Sequence, residues 1–193
     1  MRSRRPKVLH PLAGQSLIHR VLRTSRTLVP KTITVVVGHQ SELVQTALAH
    51  HGDLQFARQE LQLGTAHALQ QTRSALAATQ GSLIVMSGDV PRLSSATLTR
   101  LIDAHETTGA AGTVLTATLK RPYGYGRIVR SQGKMVGIVE ETDATREQRN
   151  IREVNGGVYA FDIEPLFDAL DQISEAGPKH ERDLPAIISS YRR

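Results

Sequence analysis

Leu83-Ile-Val-Met-Ser-Gly-Asp-Val-Pro-Arg-Leu93 is the stretch on which the fold turns. Four consecutive apolar residues read as a strand buried on both faces, and the Ser-Gly-Asp that follows ends it in a turn. Ser94 is then placed to cap a helix whose apolar positions are Leu98, Leu101 and Ile102. In open α/β sheets, ligands bind just beyond the carboxyl ends of the strands, which is where Asp89 falls. A lone carboxylate there, with Gly88 letting backbone approach, suits Mg²⁺ held against phosphate oxygens. It equally suits a side chain that only orders the turn.

Outward from this strand the same rhythm repeats. Thr32 to Val37, Leu54 to Ala57, Ser82 to Ser87 and Gly112 to Leu119 read as strands. Between them, helical spacing appears at Leu17, Ile18, Val21 and Leu22, and at Leu43, Val44, Ala47 and Leu48, with Ser41 as the expected cap of the latter. Alternating strands and helices predict an α/β fold of Rossmann-like, doubly wound type with a mostly parallel sheet. After residue 120 the pattern changes. Gly126 to Arg130 and Lys134 to Glu140 form a hairpin around Ser131-Gln132-Gly133, and Val154 to Phe161 adds a strand. This part reads as a small β insertion that walls a site. A helix at Ile163 to Ile173, a Gly177-Pro178 break and a short apolar segment at Leu184 to Ile188 complete the chain.

With 193 residues, 39% of them hydrophobic, the expectation is one domain, in which the change of rhythm separates 1–119 from 120–193. No apolar run is long enough to span a membrane and no signal-like stretch follows the basic N-terminus, so a cytoplasmic protein is expected. The absence of cysteine excludes disulfides and thiolate chemistry. Residues 1–41 carry eight Lys/Arg and no acidic residue within a net charge of +6, a stretch that attracts phosphorylated ligands or nucleic acid if it is not simply a solvated face.

Several further residues are candidates for chemistry. Lys7, before an apolar-faced helix, can reach a phosphate or lie free on the surface. Gln59 with Leu63-Gly64-Thr65-Ala66 offers a turn whose N–H groups and hydroxyl suit a base or phosphate, or an ordinary helix cap. Pro122-Tyr-Gly-Tyr-Gly-Arg127 is a turn against which a flat or hydroxylated ligand can pack, or a tight hairpin entry. Glu140 and Asn155 offer an acceptor and a mixed donor and acceptor, useful to sugar hydroxyls or to the fold alone. The eight histidines show no metal-ligand spacing, so no zinc site is expected. There is neither a Gly-x-Ser-x-Gly elbow nor a Walker loop.

Taken in order, Pro6 to His10, Gln59 with Gln62 to His67, Gly88 to Pro91, Gly124 to Ile128, Gly137 to Glu140, Asp143 to Thr145 with Glu147 to Arg149, and Asn155 resemble the uridyltransferase domain of bacterial N-acetylglucosamine-1-phosphate uridyltransferases. The resemblance runs from Arg5 to about Ile188. It implies that Lys7 contacts phosphate, that Gln59, Gly64 and Thr65 hold the uracil side, and that Asp89, beside Ser87 and Gly88, binds Mg²⁺. Gly126, Glu140 and Asn155 would line the sugar side, so the resemblance makes 1–119 the nucleotide-binding part and 120–193 the sugar-binding part. UTP and N-acetylglucosamine 1-phosphate are the implied partners and UDP-N-acetylglucosamine, a precursor of peptidoglycan and other envelope polymers, the product. Neither nucleic acid nor membrane is an expected partner.

The chain also departs from that family. The family's first strand and Gly-rich phosphate loop precede the residue that Met1 resembles, so a sheet without its first strand is expected. A second Mg²⁺-binding Asn lies beyond Arg193, Glu181-Arg-Asp-Leu184 replaces a more aromatic stretch, and residue 156 is Gly where Thr is usual. Without the family's β-helix domain, no acetyltransferase activity and a monomer are expected. A non-catalytic sugar-nucleotide-binding module is the alternative reading, and a basic nucleic-acid-binding protein a further one.

Overall fold

The computed structural model describes residues 5–175 and 181–191. A 3-10 turn at Lys7–Leu9 leads into a small hairpin of β1 (Pro11–Leu12) and β2 (Gln15–Ser16). Helix α1 (Leu17–Arg26) follows, its N-terminus capped by Ser16 Oγ accepting from His19 N. Strand β3 (Ile33–Val37), helix α2 (Ser41–Leu48) and strand β4 (Leu54–Arg58) then form a parallel β-α-β unit in register from Ile33↔Leu54 to Val37↔Arg58. Next come α3 (Thr65–Gln70), α4 (Arg73–Leu76), β5 (Ser82–Met86), α5 (Ser95–Thr108) and β6 (Gly112–Thr118). The hairpin β7 (Arg127–Ser131) and β8 (Lys134–Val139), the long β9 (Glu153–Asp162), α6 (Ile163–Asp171) and α7 (Ile187–Ser190) complete the order. The Gly177-Pro178 break lies outside the described residues. Among those described, no helix is long and apolar enough to cross a membrane.

The α/β class expected from the sequence is the one observed; among the described residues the parallel pairing is confined to β3–β4, and the five-stranded sheet is paired antiparallel throughout. β9 is its centre, pairing antiparallel with β5, β6 and β7. The segment read as an insertion walling a site therefore supplies the middle strand, and residues 1–119 and 120–193 interleave in one sheet. The cause lies in the side chains of β9. Tyr159 and Phe161 point to one face, into a cluster with Leu166, Leu170 and Ile187, while Val158 and Ala160 point to the other, against Leu98 and Leu101 of α5. β5 alternates in the same way, Leu83 and Val85 towards the first cluster and Ile84 and Met86 towards the second. A strand apolar on both faces is stable only between two helix layers.

The β3–β4 pair forms a separate two-stranded sheet over a third cluster of Ile18, Leu22, Val37, Val44 and Leu48. Among the described residues β3 is laddered only to β4 and β5 only to β9, so the sheet is split between them. The apolar runs of both strands stay half-buried, Val37 excepted. Helix α1 spans the split: Ile18 and Leu22 pack with the β3 cluster, and Ser25 Oγ lies 3.7 Å from Met86 Sδ of β5.

Gln132 (φ 51) and Gly133 (φ 78) both adopt positive φ in the two-residue turn between β7 and β8, the hand that matches strand twist. Ser94 caps α5 as expected, accepting from Thr97 N, but Ser41 is not the cap of α2. The left-handed backbone of Gln40 turns the chain into that helix, and Ser41 is its buried first residue.

Candidate active site

The ten site residues expected from the sequence fall into three groups. The first is at the carboxyl end of β5. Lys7 Nζ lies 2.5 Å from Asp89 Oδ2, and Ser87 Oγ donates to Asp89 Oδ1 at 2.7 Å. The lysine side chain is 63% exposed and the aspartate 21%, so the cation can leave while the carboxylate stays. Burial pushes the Asp89 carboxyl up, but hydrogen bonds from Lys7 and Ser87, with the lysine's charge, outweigh it and hold the group below its ordinary range. Gly88 packs closely: a Cβ there would lie 3.0 Å from Ile18 Cδ1 and 3.2 Å from Val8 Cγ1, side chains that seat the segment carrying Lys7 against the turn carrying Asp89.

The second group follows β4. Gln59 N donates to Val37 O at 2.8 Å, extending the β3–β4 ladder by one residue. Its side-chain amide donates to Gly64 O and reaches His67 Nδ1, both at 3.0 Å. With both N–H donors engaged, the amide carbonyl oxygen is what Gln59 has to offer a ligand. It lines a cleft of about 260 Å³ at the carboxyl ends of β3 and β4, whose wall also includes Gly38, Gln40, Arg58 and Gln62. Gln59 is the only one of the ten expected residues in that wall. Gly64 (φ 95, ψ −179) adopts a backbone form reserved for glycine. Its neighbour Thr65 does not turn its hydroxyl to a ligand: Oγ1 donates to Asp183 Oδ1 at 3.4 Å and accepts from Leu184 N at 2.8 Å. Ala66 N likewise donates to Arg182 O, and Arg182 N to Leu63 O, each at 2.8 Å. The turn thus docks the C-terminal Arg182–Leu184 segment.

The third group surrounds the start of β7. Asn155 N donates to Gly126 O at 2.9 Å, and a Cβ on Gly126 would lie 2.9 Å from Glu140 Oε1. The Asn155 side chain is braced, donating to Tyr159 Oη at 2.7 Å and accepting from Gly157 N at 2.9 Å. Burial first, then the charges of Asp183 and Asp143, raise the Glu140 carboxyl, with Arg127 opposing them. Asp183 thus touches the second group through Thr65 and acts on Glu140 of the third.

Sequence reasoning did not single out Arg127, Glu141 or Asp183. Arg127 is 1% exposed, donates to Glu141 Oε2 at 2.6 Å and also to Tyr125 O. Gly124 N donates to the same Glu141 oxygen at 3.1 Å, so this pair clamps the Gly-Tyr-Gly turn while Tyr123 and Tyr125 remain exposed. The inward position of Arg127 in β7 was a readable signal, since a charge on an inward position needs a partner. Nothing local marks Asp183.

The profile of the MobA-like NTP transferase domain matches residues 1–172. The bifunctional protein GlmU of Prochlorococcus marinus (strain NATL2A) is 43% identical over 194 residues, covering 100% of this chain and 44% of that protein. Those of Syntrophotalea carbinolica and of Mycobacterium tuberculosis (strain ATCC 25177 / H37Ra) are each 44% identical, with 41% and 40% of their lengths covered. The chain therefore spans about two fifths of these curated relatives. A UDP-glucose pyrophosphorylase solved in complex with UDP-glucose superposes with a TM-score of 0.76 at 14% identity, over 96% of this chain and 78% of that one. At that identity the likeness is one of fold.

Proposed function

We propose, because the chain belongs to the MobA-like NTP transferase family, that it transfers a uridylyl group from UTP to N-acetylglucosamine 1-phosphate, giving UDP-N-acetylglucosamine and pyrophosphate. The observation that carries this reading is the Lys7–Asp89 pair, a mobile cation on a fixed carboxylate at the end of a buried strand. A phosphate oxygen of the sugar phosphate attacks the α-phosphorus of UTP, a new P–O bond forms, and the bond to the β-phosphate breaks as pyrophosphate leaves. A phosphate monoester has a second pKa of about 6, so the attacking group is already largely dianionic near neutral pH. No general base is required. The protein's task is to align two anions and neutralise their charge.

Lys7 is suited to the second part, since its exposed stem lets it exchange the Asp89 carboxylate for incoming phosphate oxygens. Asp89 fits a Mg²⁺ ligand: it is held ionised, Ser87 fixes one oxygen, and this ion takes one or two carboxylates together with substrate phosphates. When bound, Mg²⁺ supplies neutralisation of the charge that grows on the leaving pyrophosphate. The Gln59 carbonyl oxygen is an acceptor for uracil N3–H, which cytosine lacks. Glu140 offers acceptors to sugar hydroxyls, and Asn155, beside Gly126, is held in one orientation to complete that wall.

The test is Mg²⁺-dependent release of pyrophosphate from the two substrates, with the Asp89→Asn variant as control. Turnover should fall by about a hundredfold or more in that variant, while the chain stays folded and loses only the modest stability of the exposed Lys7–Asp89 pair. Saturable binding of UDP-N-acetylglucosamine by a folded chain without turnover would make it a binding module. Absence of both would remove the proposal.

A further inference from the structure

His19 lies in the first turn of α1, and His50 and His51 follow the end of α2. One ring nitrogen from each lies within 4.8 Å of those of the other two. The rings are packed on one another, with centroids 4.0 Å apart for His50 and His51, 5.2 Å for His19 and His51, and 5.7 Å for His19 and His50. Adjacent His50 and His51 have no helical ligand spacing, so the sequence conceals the cluster. It arises because α1 and α2 share the apolar cluster built on Ile18, Leu22, Val44 and Leu48, which sets His19 beside the turn after α2.

We propose that His19, His50 and His51 form a three-imidazole site for a divalent transition ion of the zinc class, separate from the metal position proposed at Asp89. Imidazole nitrogens suit zinc, copper and nickel, whereas Mg²⁺ takes oxygen ligands. Three nitrogens sharing a zinc ion at 2.0–2.1 Å in tetrahedral geometry stand about 3.4 Å apart, so the rings must draw together by at most about 1.4 Å to share one ion. His51 Nε2 is buried with no hydrogen-bond partner, a lone pair or N–H that the fold leaves unmet. His19 Nδ1 is 2.6 Å from Ser16 Oγ, the residue that caps α1, so the helix cap also orients the ring and leaves Nε2 as its ligand atom. The nearby Arg26 is itself neutralised by a two-pronged pairing with Asp53 at 2.7 Å. His50 faces solvent, which leaves a fourth position for water. A bound ion would tie the start of α1 to the end of α2, so its first effect is on stability. This inference does not depend on the transferase reading.

The experiment uses the tag-free chain, stripped with a chelator, dialysed against Zn²⁺ in the presence of excess Mg²⁺, and analysed for bound metal and for thermal melting. Expected are one zinc ion per chain, a melting temperature raised by zinc, and no change in either with Asp89→Asn. His50→Ala and His51→Ala should each weaken zinc binding by at least about tenfold. His50 is exposed, so its variant tests the site even if His51→Ala does not fold. The proposal is overturned if zinc fails to bind stoichiometrically, if it is displaced by Mg²⁺ or by Asp89→Asn, or if it binds His50→Ala as tightly as wild type.

Discussion

Replacing Gly64 by alanine should cost this protein more than any turn glycine ordinarily does. With φ 95 and ψ −179 the residue is in a region that L side chains avoid, worth about 1–3 kcal/mol. The added Cβ would also meet backbone, 2.5 Å from Arg182 O, 2.8 Å from its N and 2.9 Å from its C, and backbone has no rotamer to escape to. Arg182 must therefore retreat, stretching the bonds Ala66 N to Arg182 O and Arg182 N to Leu63 O, both now 2.8 Å and each worth about 1 kcal/mol net. Together these give about 3–5 kcal/mol, a large part of a stability of roughly 5–15 kcal/mol. For a chain of this size that lowers Tm by roughly 6–20 °C. Thermal melting measures the loss, and hydrogen exchange at Ala66, Arg182 and Leu184 shows where it falls. Gly124→Ala is the internal control: its φ is 77 but nothing lies within 4 Å of a Cβ, so only the dihedral cost of about 1 kcal/mol remains. If the two variants melt together and the three amides stay protected in Gly64→Ala, the docking of Arg182 on Gly64 is refuted.

Three further outcomes follow from charges in the site. Glu140 has a raised carboxyl pKa, so the folded protein binds its proton more tightly than the unfolded chain does. Stability from this group is greatest below the ordinary glutamate value and is lost as pH rises through the folded one. Glu140→Gln should therefore raise Tm at pH 7, with the gain vanishing in acid, while turnover falls; the same difference from wild type at both pH values contradicts the assignment. Asp89 is the opposite case, contributing stability above its ordinary value that is lost as pH falls through the depressed one. In Lys7→Met, burial is no longer outweighed in full, and NMR titration should find the Asp89 carboxyl shifted upward. Glu141→Gln should destabilise by leaving the enclosed Arg127 charge without its ionised partner, and the Arg127→Met/Glu141→Met double variant should melt above that single variant. Thermal melting of the two variants decides.

The elements were legible because their signals are local. Four apolar residues before Ser87-Gly88-Asp89 define β5 and put Asp89 at its end, and Ser131-Gln132-Gly133 marks the hairpin. Lys7, by contrast, gave no sign that its partner is Asp89, since that contact depends on Val8 packing against Gly88. The central place of β9 was equally hidden: Val158 to Phe161 announces a strand buried on both faces, not which strands flank it. Thr65 offered the hydroxyl of a ligand-binding turn, yet its partner is Leu184 N, 119 positions away. The histidine cluster follows the same rule, because only the packing of α1 against α2 brings His19 to His50 and His51. Chemistry carried by one strand end could be read from the chain, and chemistry assembled across elements required the fold.

The split between β3 and β5 makes the two ladders separable foldons. Among the described residues, backbone hydrogen bonds ladder β3 to β4 and β5 to β9, and side-chain contacts such as those of Ile18, Leu22 and Ser25 of α1 bridge one ladder to the other. Units joined in this way open with separate free energies, and the smaller one, with less apolar surface enclosed, opens first. Each opening frees strand edges that another extended chain can pair with, so protein concentration becomes a variable of the fold itself.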